Sequence, residues 1–135
     1  MDDVDERLIA LLKEDSRMTN VQIAEQLGTT EGTVRARIKR LRDDGTIRAF
    51  TVRTATRNIK ALVQVQIEVN VHTSQIARMI MDMPAVEAVY EVAGNVDIIA
   101  VVDVMTMEEL NDVIEEIRSH GSIIATQTTM VLNEL

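Results

Sequence analysis

From residue 3 to residue 15, apolar positions recur at helical spacing, with Val4, Leu8, Leu11 and Leu12 making one stripe. Asp2 or Asp3 can cap this helix, and Asp5 and Glu6 suit its positive end. Asp15-Ser16-Arg17 breaks the pattern, and Thr19 opens a second helix. Ala24, Gly28 and Val34 then form the skeleton of a helix-turn-helix. Ala24 is small where two helices cross, Gly28 permits the positive φ of a tight interhelical turn, and Val34 is the first apolar contact of the third helix. Thr30 can cap that helix, and Gly45 after Asp43-Asp44 is a natural stop. Residues 47–53 alternate at period two and predict a strand, giving a winged or strand-extended helix-turn-helix over residues 1–53. Arg48 and Arg53 on that strand either touch DNA or form its wet edge.

Residues 54–60 are polar and lack a periodic pattern, which predicts a linker and a domain boundary. Beyond it the rhythm changes. An apolar strand runs over 61–71, and Thr73 or Ser74 opens a helix that carries Ile76, Ile80 and Met83 and stops at Pro84. A strand over 86–93, a Gly94-Asn95 turn and a strand over 97–104 follow. Thr106 caps a helix bearing Leu110, Val113, Ile114 and Ile117, which ends at His120-Gly121, and the last strand spans 123–132. The order β-α-β-β-α-β predicts an α+β ferredoxin-like sandwich over residues 61–135. Its strands are apolar on both sides, yet two helices cover only one face, so the other face predicts a homodimer.

Composition narrows the chemistry. Of the 135 residues 46% are hydrophobic, enough for a core, but Phe50 and Tyr90 are the only aromatic residues, so that core is aliphatic. Cysteine is absent, which excludes disulfides, cysteine-ligated zinc fingers and thiol catalysis. No apolar run reaches the roughly 18 to 20 residues of a membrane span, and the acidic start MDDVDERL is unlike a signal peptide, so a cytoplasmic protein is expected. The net charge of −8 is unevenly distributed: residues 1–53 hold ten cations and ten acidic residues, whereas 54–135 hold four and twelve. Within 35–48, six cations stand against Asp43 and Asp44, a local balance of +4. A local patch, rather than overall charge, decides contact with phosphate.

That patch sits on the third helix. At about 100° per residue, Val34, Ile38 and Leu41 share an inward face, and Gly32, Thr33, Ala36, Lys39 and Arg40 lie roughly opposite, with Arg35 on the flank. Small and hydroxylic residues let a helix backbone approach base edges, and arginine and lysine reach guanine or phosphate. An ordinary solvated basic face would share the charge but not the Ala–Gly–Val spacing. Candidate DNA-contacting residues are therefore Thr30, Gly32, Thr33, Arg35, Ala36, Lys39, Arg40 and Arg42. Catalysis is poorly supported. Glu87 with Glu91, and Asp97 with Asp103, share strand faces, and His72 and His120 stand at element ends, but no nucleophile elbow, phosphate loop or metal-ligand spacing occurs.

The stretches VDERLIALLKEDSR, IAEQLGTTEGTVRARIKRLRDDGTI, PAVEAVYEVAGNVDIIAVV and IATQTTMVL resemble the Lrp/AsnC ("feast/famine") transcriptional regulators, in particular the short archaeal members. The resemblance runs from Val4 through Leu132. It implies a DNA-binding domain joined to an effector-binding ferredoxin-like domain that dimerises and often assembles further, to octamers. It also implies a small amino-acid effector held between dimers, and no cofactor. Carried over by motif, the candidate effector residues are Gly94, Asn95, Asp97, Thr126 and Thr128, with Tyr90 nearby. Free amides at the turn suit a carboxylate, Asp97 an ammonium, and the threonine hydroxyls either. Each also has a plainer role: Gly94-Asn95 as a hairpin turn, Asp97 as a partner of turn backbone, the threonines as strand formers. The chain departs from the family where Gly-Asn-Val-Asp replaces a turn with an acidic and an aromatic residue, and where Ala85 follows Pro84 in place of the frequent glycine. Those departures leave the effector open. An assembly or amino-acid-sensing module whose N-terminal domain contacts protein is the alternative reading.

Overall fold

A computed structural model describes residues 1–55 and 58–135. The chain forms two compact units, Met1–Thr54 and Ala55–Leu135. Among the described residues no helix is long and apolar enough to cross a membrane.

The first unit holds α1 (Asp3–Glu14), α2 (Asn20–Leu27) and α3 (Glu31–Asp43). Each start is fixed by a side chain that accepts an N–H left unpaired in the first turn. Asp2 caps α1 in a reciprocal box with Asp5, Thr19 caps α2 in a box with Gln22, and Thr30 caps α3 by accepting from the Thr33 amide. Gly28 ends α2 with φ 70, in the left-handed region that the sharp turn into α3 requires. Leu8, Ile23, Ala24, Val34 and Leu41 close the core, and Ala24 is only 5% exposed, as its place at the crossing of two helices demands.

Residues 47–53 depart from expectation, because they form no strand. Period-two alternation marks a segment with two different faces, but a strand also needs a ladder partner. The sheet of this chain does not include the segment. Ile47 instead donates its N–H to the Leu41 carbonyl and packs on the helical core, and the Arg42 guanidinium stands 5.5 Å from the centre of the Phe50 ring. The expected wing is absent from the described residues.

The second unit runs β1 (Ile59–Ile67), α4 (Thr73–Met81), β2 (Val86–Glu91), β3 (Ile98–Val104), α5 (Met107–Arg118) and β4 (Ile123–Met130). The four strands pair antiparallel in the order β2-β3-β1-β4, the split β-α-β sandwich that the element order implies. β1 starts two residues earlier than the pattern predicts and stops at Ile67 rather than 71, where a register shift between Gln66 and Ile67 ends regular pairing with β4. Thr56 and Arg57, within the stretch read as a linker, lie outside the described residues.

Alternation decides which face is buried. Ala61, Val63, Val65 and Ile67 of β1 and Ile98, Ala100, Val102 and Val104 of β3 point to the helices, meeting Ile76 and Ile80 of α4 and Leu110, Val113 and Ile117 of α5. On the other face, Leu62, Ile99 and Val101 are only partly buried.

Candidate nucleic-acid interface and effector region

Along α3, the cap, the helix period and a set of ion pairs distribute the candidate DNA-contacting residues. Thr30, Gly32, Thr33, Ala36, Arg37 and Arg40 line one open depression of about 630 Å³. The Thr30 and Thr33 hydroxyls lie 2.9 Å apart, and the space where a Gly32 Cβ would stand is open. Lys39 pairs with Asp43 at 2.6 Å, and Arg35 with Glu31, both one helical turn apart and exposed. Such surface pairs hold their partners weakly, so both cations can turn to a phosphate. Arg42 leans over Phe50 instead of lining the depression.

Arg37 was not among the residues expected at this surface, yet it lines the depression. Its Nη1 donates to both carboxylate oxygens of Asp2 at 3.0 and 2.8 Å and to Oδ1 of Asp5 at 2.9 Å. Arg40 donates through Nη2 to Oδ2 of Asp5. Asp5 is 1% exposed. Its carboxyl is held below the usual carboxylate range by the Asp2 backbone N–H and, less strongly, by the hydrogen bond from Arg37. The hydrogen bond from Arg37 is also the main cause that brings the Asp2 carboxyl down to about 2. The signal was legible as two spacings, Asp2-x-x-Asp5 at the capped start of α1 and Arg37-x-x-Arg40 on one face of α3. What the sequence did not reveal was that α1 and α3 bring those pairs together.

The candidate effector residues occupy two places. Gly94, with φ 142, and Asn95 form the tip between β2 and β3. Next to them Asp97 staples the sheet: its N–H donates to the Val65 carbonyl at 3.0 Å, and its Oδ2 accepts the Ile67 N–H at 2.8 Å. The side chain therefore bonds backbone of β1, a partner outside the turn. Tyr90 lies opposite Ile99, on the open face of edge strand β2. Thr126 and Thr128 lie opposite Val65 and Val63, on the helix-covered face of the other edge strand, β4. Within one chain, Tyr90 and the two threonines are separated by face and by edge. Thr126 shares a cavity of about 440 Å³ with Arg118, Ile123, Ile124 and Ala125, which adds a cation that motif transfer had not included. Among the described residues no group of three or more acidic or histidine side chains is placed to hold a metal ion. His120 accepts the Ser122 N–H through Nδ1.

Comparison with known proteins matches these two units to two family models. Residues 1–42 match the AsnC-type helix-turn-helix domain, and residues 60–135 match the Lrp/AsnC ligand binding domain. The chain belongs to the Lrp/AsnC family. It is 34% identical to the HTH-type transcriptional regulator LysM of Saccharolobus solfataricus, over 98% of this chain and 94% of that protein. The crystal structure of MtbAldR superposes with a TM-score of 0.89 at 27% identity, covering 100% of this chain and 93% of that one. The leucine response regulatory protein LrpA of Mycobacterium tuberculosis superposes with a TM-score of 0.86 at 25% identity, covering 99% and 94%. The chain is thus a DNA-binding helix-turn-helix regulator carrying the family's ligand-binding domain, in a family of transcriptional regulators rather than enzymes.

Proposed function

We propose that the protein is a sequence-specific transcription regulator in which α3 enters the DNA major groove. The observation that carries this reading is the surface of α3, where Gly32, Thr33 and Ala36 form a low strip beside Arg37 and Arg40. Thr33 and Ala36 approach base edges, together with Gly32 and the Thr30 cap. Lys39, Arg40 and Arg42 supply phosphate contacts, for which Arg42 leaves Phe50, and Arg35 reaches the duplex after releasing Glu31. A second copy packs on the open sheet face at Leu62, Ile99 and Val101, and the paired recognition helices read half-sites about 10 bp apart. Selection of duplexes from a randomised pool, followed by electrophoretic titration, tests this directly. Enrichment of a pseudopalindrome supports it, and no enrichment by a folded protein refutes it.

The ligand-binding domain takes a small amino acid between copies. Two observations support this reading. Tyr90 on β2 and Thr126 and Thr128 on β4 stand at opposite edges of the sheet, with Gly94 and Asn95 at the β2–β3 turn and Asp97 bonded to β1 between them. A structural relative is a leucine response regulatory protein by name. Assembly beyond the dimer, such as an octamer, brings the edges of different copies together, and binding there shifts DNA affinity through assembly. A thermal-shift screen of the twenty amino acids with light scattering tests this. A selective shift lost in Thr126→Val supports the site. A complete absence of shifts removes the effector and leaves the regulator. Asp97→Ala is the poorer probe, because it also strips the Ile67 N–H of its acceptor.

A further inference from the structure

We propose that Asp5, which lies on α1 and not on the recognition helix, is a positioning residue for DNA specificity. It rests on the reading of α3 as the helix that meets DNA. A carboxylate that is 1% exposed is costly to bury unless donors surround it. Here three do: the Asp2 N–H at 3.1 Å, Arg37 Nη1 at 2.9 Å and Arg40 Nη2. The two arginines are not held equally. Arg37 is gripped by Asp2 and Asp5 together and its side chain is 23% exposed, whereas Arg40 gives Asp5 a single nitrogen and its side chain is 54% exposed. A guanidinium has five N–H donors in a rigid plane. Holding one nitrogen of Arg40 restricts where its remaining donors stand, at the border of the surface formed by Gly32, Thr33 and Ala36. A phosphate contact made by so oriented a group sets the register in which neighbouring residues meet base edges.

Asp5 also subtracts charge from the same surface. The two effects have opposite consequences for DNA. Asp5→Asn removes one negative charge beside the duplex, which strengthens binding to any sequence and steepens its salt dependence. It also releases the Arg40 plane, which weakens discrimination among sequences. A carboxylate that merely held the fold together would lower binding to all duplexes alike.

The experiment compares the duplex enriched from a randomised pool with a scrambled duplex of the same composition, each titrated at several salt concentrations. Full-length wild type, Asp5→Asn and Arg40→Lys are used, with folding checked by circular dichroism and melting. The ratio of enriched to scrambled affinity is expected to fall about tenfold in Asp5→Asn, while the log–log salt slope steepens by about one for the scrambled duplex. Arg40→Lys keeps the charge and loses the plane, so its ratio falls with little change of slope. Should Asp5→Asn not fold, Asp5→Glu carries the test: it keeps the charge and displaces the carboxylate from Arg40, so the ratio falls without a change of slope, and an unchanged ratio overturns the inference. An unchanged ratio in folded Asp5→Asn or in Arg40→Lys overturns the inference, as does an equal loss on both duplexes. If wild type enriches no sequence, the reading of α3 fails and this inference with it. If wild type enriches one and the variants keep its ratio, only the role of Asp5 is lost.

Discussion

The two units solve opposite problems with their interiors. The second buries an aliphatic core between a sheet face and two helices, and no charged side chain among the described residues is buried there. The first has a small core and buries Asp5 beside it. In the second unit, stability comes from side chains that face away from any partner, leaving its open face and edges to vary. In the first, a buried carboxylate ties the helix α1 to the cations of α3, so folding and the proposed recognition surface share residues. A change inside the second unit should therefore cost stability alone, and a change inside the first should cost both.

Leu110→Ala gives the largest expected effect. Leu110 is 2% exposed between α5 and the sheet, and its truncation should cost the second unit about 2–5 kcal/mol, read by denaturant unfolding. A cost near zero would mean that the core is not the sole support of that unit. Asp97→Ala should cost about 1–3 kcal/mol in the same unit, because the Ile67 N–H loses its acceptor at the end of β1. Hydrogen exchange should then accelerate at Ile67 before it does at Val63, and protection at Ile67 equal to wild type would dismiss the staple.

In the first unit, Thr30→Ala removes the α3 cap at its Thr33 N–H and should cost about 0.5–2 kcal/mol. Unlike the two preceding changes, it should also weaken duplex binding, since the cap borders the proposed recognition surface. The smallest effect is expected from acid. The Asp2 carboxyl, brought down to about 2 mainly by Arg37, binds its proton more readily in the unfolded chain than in the folded one. Its contribution is therefore complete above the ordinary carboxylate range near pH 4 and is lost as pH falls towards 2. In Arg37→Gln the first unit should lose less stability over that interval, as followed by ellipticity. An identical acid profile would show that the ion pair is not felt.

The pattern of apolar positions was enough to read the helix-turn-helix and the sandwich, because both fold through periodic burial. Ala24 and Gly28 revealed the helix crossing and the turn, each being demanded by local geometry. The strand expected over 47–53 failed for the converse reason: alternation says nothing of a pairing partner, and Ile47 found its place on the helical core. Arg37 escaped notice because its role depends on Asp2 and Asp5 of another helix. Motif transfer named candidate effector residues but could not arrange them. Whether Thr126 faces Tyr90 is decided by strand order, which places β4 and β2 at opposite edges.

The decisive measurement is the affinity of the wild type and of Lys39→Gln/Arg40→Gln for the selected duplex, as a function of salt. Both side chains lie on the outward side of α3, tied only to acidic neighbours. The double change should weaken binding strongly and flatten the log–log salt slope by about two, one for each lost phosphate contact, with the oligomer unchanged. Equal affinity and equal slope in the two proteins would contradict the assignment of α3 as the helix that meets DNA.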